Sequence, residues 1–151
     1  MGIEALLGPG PVALDTAVFI YFIEEHAEYL SLVEPIFTAI ASGRLEGVTS
    51  ALTLPETLVV PYRAGNLALA ERYETLLTRS RGLRLVALES SVLRVAAQLR
   101  AKLNVKTPDA LQLATALHCR ASAFVTHDRK MPAVPGLRTV RLSEMSRLAA
   151  I

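Results

Sequence analysis

The sequence predicts an α/β fold, three-layered α/β/α with a mostly parallel central sheet of four or five short strands. Three observations predict it. Short aliphatic runs alternate with helix-like periodic segments along all 151 residues, the pattern of successive βαβ units. The runs are short and rich in aliphatic residues, as strands of a mostly parallel sheet are. The chain is 52% hydrophobic and has no tryptophan, so one sizeable core can be built, mainly from Leu, Val and Ala. No repeat, low-complexity stretch or linker divides it, and residues 1–151 are expected to form one domain. Residues 62–82 are expected to form a helical insertion within it.

The elements follow in order. Gly8-Pro-Gly-Pro11 is a rigid lead-in to a strand at 11–15. Thr16 opens a helix from 17 to about 25, and a second helix runs from about 31 to 42, stopped by Gly43. Residues 46–50 are a strand, followed by a helix from about 50 or 53 to Pro61. Residues 66 to about 79 are helical, with Leu69, Tyr73, Leu76 and Leu77 three and four apart. Residues 82–87 are aliphatic and strand-like. An amphipathic helix capped by Ser90 or Ser91 then presents Val92, Val95, Ala96, Leu99 and Leu103 as one stripe. Thr107 caps the next helix, with Pro108 first inside it and Ala110, Leu111, Ala114 and Leu117 on its apolar side. Residues 121–126 form a buried strand and 137–140 an edge strand, and Ser143 caps a terminal helix.

Charge and cysteine usage narrow the setting. Net charge is +2, but residues 1–62 hold one basic and eight acidic side chains, whereas residues 63–151 hold fifteen basic and six acidic. An acidic zone beside a basic one suits a polyanionic ligand, although basic side chains also simply solvate helix faces. No apolar run is long enough to span a bilayer, and no signal peptide is expected. The single cysteine, Cys119, has no partner for an internal disulfide, so a cytoplasmic location is expected.

Four acidic residues stand where strands end or helices begin: Asp15, Glu56, Asp109 and Asp128. Each has a local explanation. Asp15 can cap the helix that follows it. Thr53-Leu-Pro-Glu56 fits a capping box. Asp109 lies in a helix first turn, where the dipole favours it. Asp128 ends its strand in a turn that Thr126 can orient. Taken together they set three Asp and one Glu on one rim of the sheet, at the carboxyl ends of the strands, where open α/β sheets bind ligands. Carboxylates gathered there repel unless a hard divalent cation sits between them, and such a site supports metal-assisted phosphodiester hydrolysis.

Leu14-Asp15-Thr16, Glu56 after a short strand, Thr107-Pro-Asp-Ala-Leu-Gln-Leu-Ala-Thr-Ala116, and Phe124-Val-Thr-His-Asp128 come in this order. In that order they resemble the PIN domain, most of all the VapC-type toxins of bacterial and archaeal toxin–antitoxin pairs. The likeness runs from about residue 12 to 142. It implies a parallel sheet between helices and a ribonuclease dependent on Mg²⁺ or Mn²⁺. It makes Asp15, Glu56, Asp109 and Asp128 the acidic tetrad, with Thr16 and Thr126 as supporting hydroxyls. It implies cleavage leaving a 5′-phosphate and a 3′-hydroxyl, a homodimer, and a small VapB-like antitoxin partner that obstructs the site. Two departures stand out. Arg129-Lys-Met131 occupies a stretch where the family often has a further acid, amide or aromatic, which weakens a second metal site. Pro55 beside Glu56 is also unexpected.

Arg129 and Lys130 are candidate phosphate contacts, or else part of a solvated loop. The histidines show no zinc spacing, Gly8-Pro-Gly10 precedes its strand, and there is no Gly-x-Ser-x-Gly elbow. The alternatives kept open are a PIN nuclease of RNA processing and a silent PIN-fold module that only binds RNA or protein. A silent module would have lost some of the acids, and this chain keeps all four.

Overall fold

The computed structural model describes residues 2–149. Five strands form one sheet: β1 (Val12–Leu14), β2 (Gly47–Ser50), β3 (Leu83–Val86), β4 (Ala123–Thr126) and β5 (Thr139–Arg141). Every pairing is parallel, and the order is β3-β2-β1-β4-β5. The helices are α1 (Ile3–Leu7), α2 (Thr16–Ile23), α3 (Leu30–Ala41), α4 (Thr53–Arg63), α5 (Leu67–Arg79), α6 (Ser90–Lys102), α7 (Thr107–His118) and α8 (Leu142–Ala149). None is long and apolar enough to cross a membrane.

Strand periodicity of two sorts the core onto the two faces of the sheet. Val12, Leu14, Ala123 and Val125 pack with Val18 and Phe19 of α2, Val33, Ile36 and Ile40 of α3, and Leu142 and Met145 of α8. Ala13, Val48 and Phe124 pack on the other side with Val92 and Ala96 of α6 and with Ala110, Leu113 and Ala114 of α7. Strands β1, β2 and β4 are buried at every position, as a parallel sheet covered on both faces requires. Burying a side chain such as Phe124 contributes about 1.5–3 kcal/mol. A smaller third cluster, Ile23, Leu58, Ala70 and Tyr73, joins α4 and α5 to the end of α2, so α4 and α5 together make the crossover from β2 to β3.

The chain builds outward from β1 through β2 to β3, then returns to lay β4 on the opposite edge of β1. The gap between β1 and β4 is therefore the switch point of the sheet, where the loops part and a ligand can enter. Leu14 pairs with Val125, so Asp15 and Thr126 emerge side by side from that gap.

Several helix starts differ from the sequence expectation. Glu89 and Lys106 occupy the cap positions of α6 and α7, not Ser90, Ser91 or Thr107, and neither cap makes a side-chain bond. Thr107 lies one residue inside α7, where its hydroxyl accepts from Arg100 at 2.9 Å, a tertiary partner that local capping rules do not see. Ser143 is likewise inside α8, which begins at Leu142. The Thr53–Glu56 capping box does not form: Leu52 holds the cap position and makes no side-chain cap bond. Helix α4 also passes through Pro61 to Arg63, although a proline so placed deprives the carbonyl of Thr57 of its donor. Helix α1, which seals Leu7 into the core, was not expected from so short a segment.

Candidate functional site

Asp15 stands at the N-cap of α2, with its own amide bonded to Val125 O at 3.0 Å. Both carboxylate oxygens are held. Oδ1 accepts from the Thr16 amide at 2.8 Å, and Oδ2 from the Thr126 hydroxyl at 2.6 Å. The capping role and a place on the ligand-facing rim therefore coexist. Thr126 is fully buried, and its oxygen also accepts from the Asp128 amide at 3.1 Å. One hydroxyl thus fixes the ends of two strands. Beyond it, Asp128 Oδ1 accepts from the Lys130 amide at 2.8 Å, a tight turn that steers the carboxylate. The loop that follows is anchored by buried Met131, whose carbonyl accepts from Arg141 at 2.8 Å.

Glu56 lies in the first turn of α4 and turns away from its own helix. Its Oε1 accepts from the Thr16 hydroxyl at 2.7 Å, across a sequence separation of 40 residues. Pro55 is tolerated because a first-turn residue has no helical acceptor for its missing N–H. Asp109 lies in the first turn of α7 and takes no hydrogen bond from another described residue.

Electrostatics ties the carboxylates together. Burial pushes Asp15 above the ordinary carboxylate range; its two hydrogen bonds oppose this, and the negative charges of Glu56 and Asp128 add to it. Asp109 is raised too, by burial first and then by Asp15 and Asp128, with Lys106 working the other way. The four sequence-predicted acids are therefore electrostatic neighbours. Among the described residues, no three His, Cys, Asp or Glu side chains stand close enough to hold a metal ion as placed. The donor chemistry nonetheless fits a hard divalent cation: every candidate ligand is a carboxylate oxygen, and the mutual repulsion of these groups falls when a cation joins them. As placed, the side chains would have to rotate toward a shared centre to hold it, and Asp109, which accepts no hydrogen bond among the described residues, is freest to do so.

Arg129 and Lys130 are both exposed, directly after Asp128. His127 packs edge-on against Tyr21 and Tyr29, with ring centroids 5.4 and 4.8 Å away, and those two tyrosines stack at 5.0 Å. His26 joins them, its Nδ1 accepting from the amides of Glu28 and Tyr29.

One residue went unnoticed at the sequence level. Gln112, one helical turn after Asp109, is 3% exposed, and its amide nitrogen donates to Thr53 at 2.9 Å and to Thr16 at 3.2 Å. Its signal was present: an uncharged amide in the middle of an otherwise aliphatic, Ala-rich helix must find buried partners.

Comparison with known proteins follows the same lines. Residues 12–137 match the sequence model of the PIN domain. No curated protein sequence matches the chain significantly. Among solved structures, VapBC2 from Rickettsia felis, bound to a promoter DNA fragment, is similar at a TM-score of 0.69 and 17% identity, covering 87% of this chain and 98% of that one. A toxin–antitoxin complex from Klebsiella pneumoniae is similar at a TM-score of 0.64 and 20% identity, covering 83% and 94%. FitAcB from Neisseria gonorrhoeae is similar at 0.65 and 16%, covering 87% and 98%. At these identities the likeness is one of fold.

Proposed function

The chain belongs to the PIN domain family, and from that premise we propose that it is a Mg²⁺- or Mn²⁺-dependent endoribonuclease, the toxin of a VapBC-type toxin–antitoxin pair acting in the cytoplasm. One observation carries the reading. Carboxylates from four distant stretches of sequence feel one another's charge at the switch point of a parallel sheet.

In this reading Asp15, Asp109 and Asp128 hold the ion, and Glu56 ligates it directly or through water. When bound, the ion supplies a water of lowered pKa and offsets charge building on the scissile phosphate. The chain's own part is orientation. Thr126 and Thr16 fix the directions of Asp15 and Glu56 by donating to them. Arg129 and Lys130 are proposed to draw the RNA backbone toward the rim. Two of the carboxylates, Asp15 and Asp128, stand at the ends of sheet strands, and Glu56 and Asp109 in the first turns of helices packed on that sheet.

The toxin assignment is supported by similar solved structures, one described as a toxin–antitoxin complex and one as a member of the VapBC family of toxin–antitoxin systems. A protein partner is supported by an exposed apolar strip on α4 and α5, where Val60, Tyr62 and Leu67 are 65%, 54% and 69% exposed. Beside it lies a groove of about 580 Å³ lined by Leu54, Pro55, Leu58, Val59, Tyr62 and Arg63. The proposed partners are a VapB-like antitoxin and a second copy of the chain.

The test is incubation of RNA with purified protein, freed of any co-purifying partner, in Mn²⁺ or Mg²⁺, with EDTA and Asp109→Asn as controls. Discrete fragments that disappear in both controls support the reading. Intact RNA from folded wild-type protein would replace it with a binding module of the same fold.

A further inference from the structure

The buried polar side chains beneath Glu56 form a chain in which every proton has one place to go. Thr49 donates its only hydroxyl proton to the Leu14 carbonyl at 2.8 Å. The 2.7 Å contact between Thr49 and Thr53 must therefore carry the Thr53 proton. With that proton committed, Thr53 has none for Thr16, which lies 3.4 Å away. Thr16 sends its own proton to Glu56 at 2.7 Å. Both hydroxyl oxygens are left as acceptors, and both face the Gln112 amide at 2.9 and 3.2 Å. An amide turned the other way would set its carbonyl oxygen against two oxygens with no proton to give. The polarity of the network thus dictates that the Gln112 amide nitrogen, not its carbonyl oxygen, faces both hydroxyls as donor.

We propose that Gln112 is a positioning residue for Glu56. By occupying the acceptor side of Thr16, it forces the Thr16 proton toward the Glu56 carboxylate and holds that carboxylate on the rim, away from the helix cap it would otherwise serve. The geometry explains why the Thr53–Glu56 capping box fails to form: the Thr53 hydroxyl is bound to Gln112 and Thr49 instead of an amide of its own helix. The inference rests on the metal-nuclease reading for its consequence, though not for its geometry.

The test uses Gln112→Met, which keeps length and apolar packing but removes both donors, and Gln112→Glu, which replaces both donors with acceptors. Mn²⁺ affinity is read by calorimetry, RNA cleavage beside it, and thermal midpoints confirm folding. The expected result is roughly tenfold weaker Mn²⁺ binding in Gln112→Met, in the range for lost outer-shell support, and a larger loss in Gln112→Glu. In a Glu56→Ala background, Gln112→Met should cost nothing more, because the residue through which it acts is gone. Wild-type Mn²⁺ affinity in folded Gln112→Met, or an equal loss in both backgrounds, would overturn the proposal.

Should the wild-type protein bind no Mn²⁺, the functional reading fails, and the network is still readable by nuclear magnetic resonance. The Gln112 side-chain amide protons should then exchange slowly with solvent and shift on Glu56→Ala. Fast exchange, or shifts blind to that substitution, would overturn the proposal independently.

Discussion

Asp109 shows how one side chain can oppose the fold it belongs to. Its carboxyl titrates above the unfolded value because burial and the charges of Asp15 and Asp128 disfavour ionisation. The native metal-free protein therefore binds more protons than the unfolded chain across the window between the unfolded and folded pKa values. The stability contributed by this proton is full below the unfolded pKa and is lost as pH rises through the folded one. Asp109→Asn should consequently raise the thermal midpoint of metal-free protein at neutral pH, by an amount that shrinks on acidification. The same variant should lose RNA cleavage by about a hundredfold or more, as removal of a proposed ligand demands. A lowered midpoint would assign Asp109 to helix capping instead. Thr126→Val tests the other side of the site. It removes a hydroxyl that donates to Asp15 and accepts from Asp128, so it should cost roughly 1–3 kcal/mol by leaving buried groups unpaired, read by denaturant unfolding. The placement of Asp15, Glu56, Asp109 and Asp128 at the ends of strands and the starts of helices was legible in the sequence, because local turn and capping patterns mark those boundaries. Gln112 and the failure of the capping box were not, since both depend on contacts far apart in sequence: Thr16 to Glu56 across 40 positions, and Gln112 to Thr53 across 59.

At the scale of elements, hydrophobic periodicity located every strand and all the longer helices to within a few residues, because each buries an aliphatic stripe. Their starts were harder to read. Ser90, Thr107 and Ser143 have the residue types of caps, yet each falls inside its helix, and Thr107 there accepts from Arg100. Packing between elements also yields tests. Tyr73 of α5 is buried, and its hydroxyl donates to Glu24 at the end of α2, with burial and that carboxylate lifting its pKa far above the ordinary tyrosine range. Because the folded-state pKa is raised, this bond's contribution is present below the unfolded tyrosine pKa and is lost as pH climbs toward the folded value. Tyr73→Phe should thus cost about 1 kcal/mol at neutral pH and flatten the fall of stability above about pH 10, measured by unfolding across an alkaline series. Gly82 turns the chain from α5 into β3 at φ +83°, and a Cβ there would lie 2.9 Å from the Ile40 carbonyl oxygen. Gly82→Ala should destabilise by about 1–2 kcal/mol, since both the conformation and the space reject a side chain.

For the whole molecule, we propose that residues 1–151 behave as one cooperative unit, with the α4–α5 crossover held to α2 by Ile23, Leu58, Ala70 and Tyr73. A single unfolding transition, coincident by circular dichroism and fluorescence of the tyrosines, is the expected outcome; two separated transitions would detach the crossover as a subdomain. The uneven charge distribution bears on substrate encounter. If Arg129 and Lys130 contact phosphates, replacing each by Ala should weaken RNA binding across sequences and lower the slope of log affinity against log salt by about one. An unchanged slope would leave both as solvated loop residues.

The position of β1 has a consequence for incomplete chains. This three-residue strand precedes the other four in sequence yet ends in the middle of the sheet, with one flank open until Ala123–Thr126 arrive. The same late strand brings Thr126, which holds Asp15, and leads into Asp128. Under the proposed function, a chain that lacks β4 and the turn after it holds no complete site, because Thr126 and Asp128 are missing. Chains cut before β4 would present a bare strand edge along β1, ready for aggregation and proteolysis.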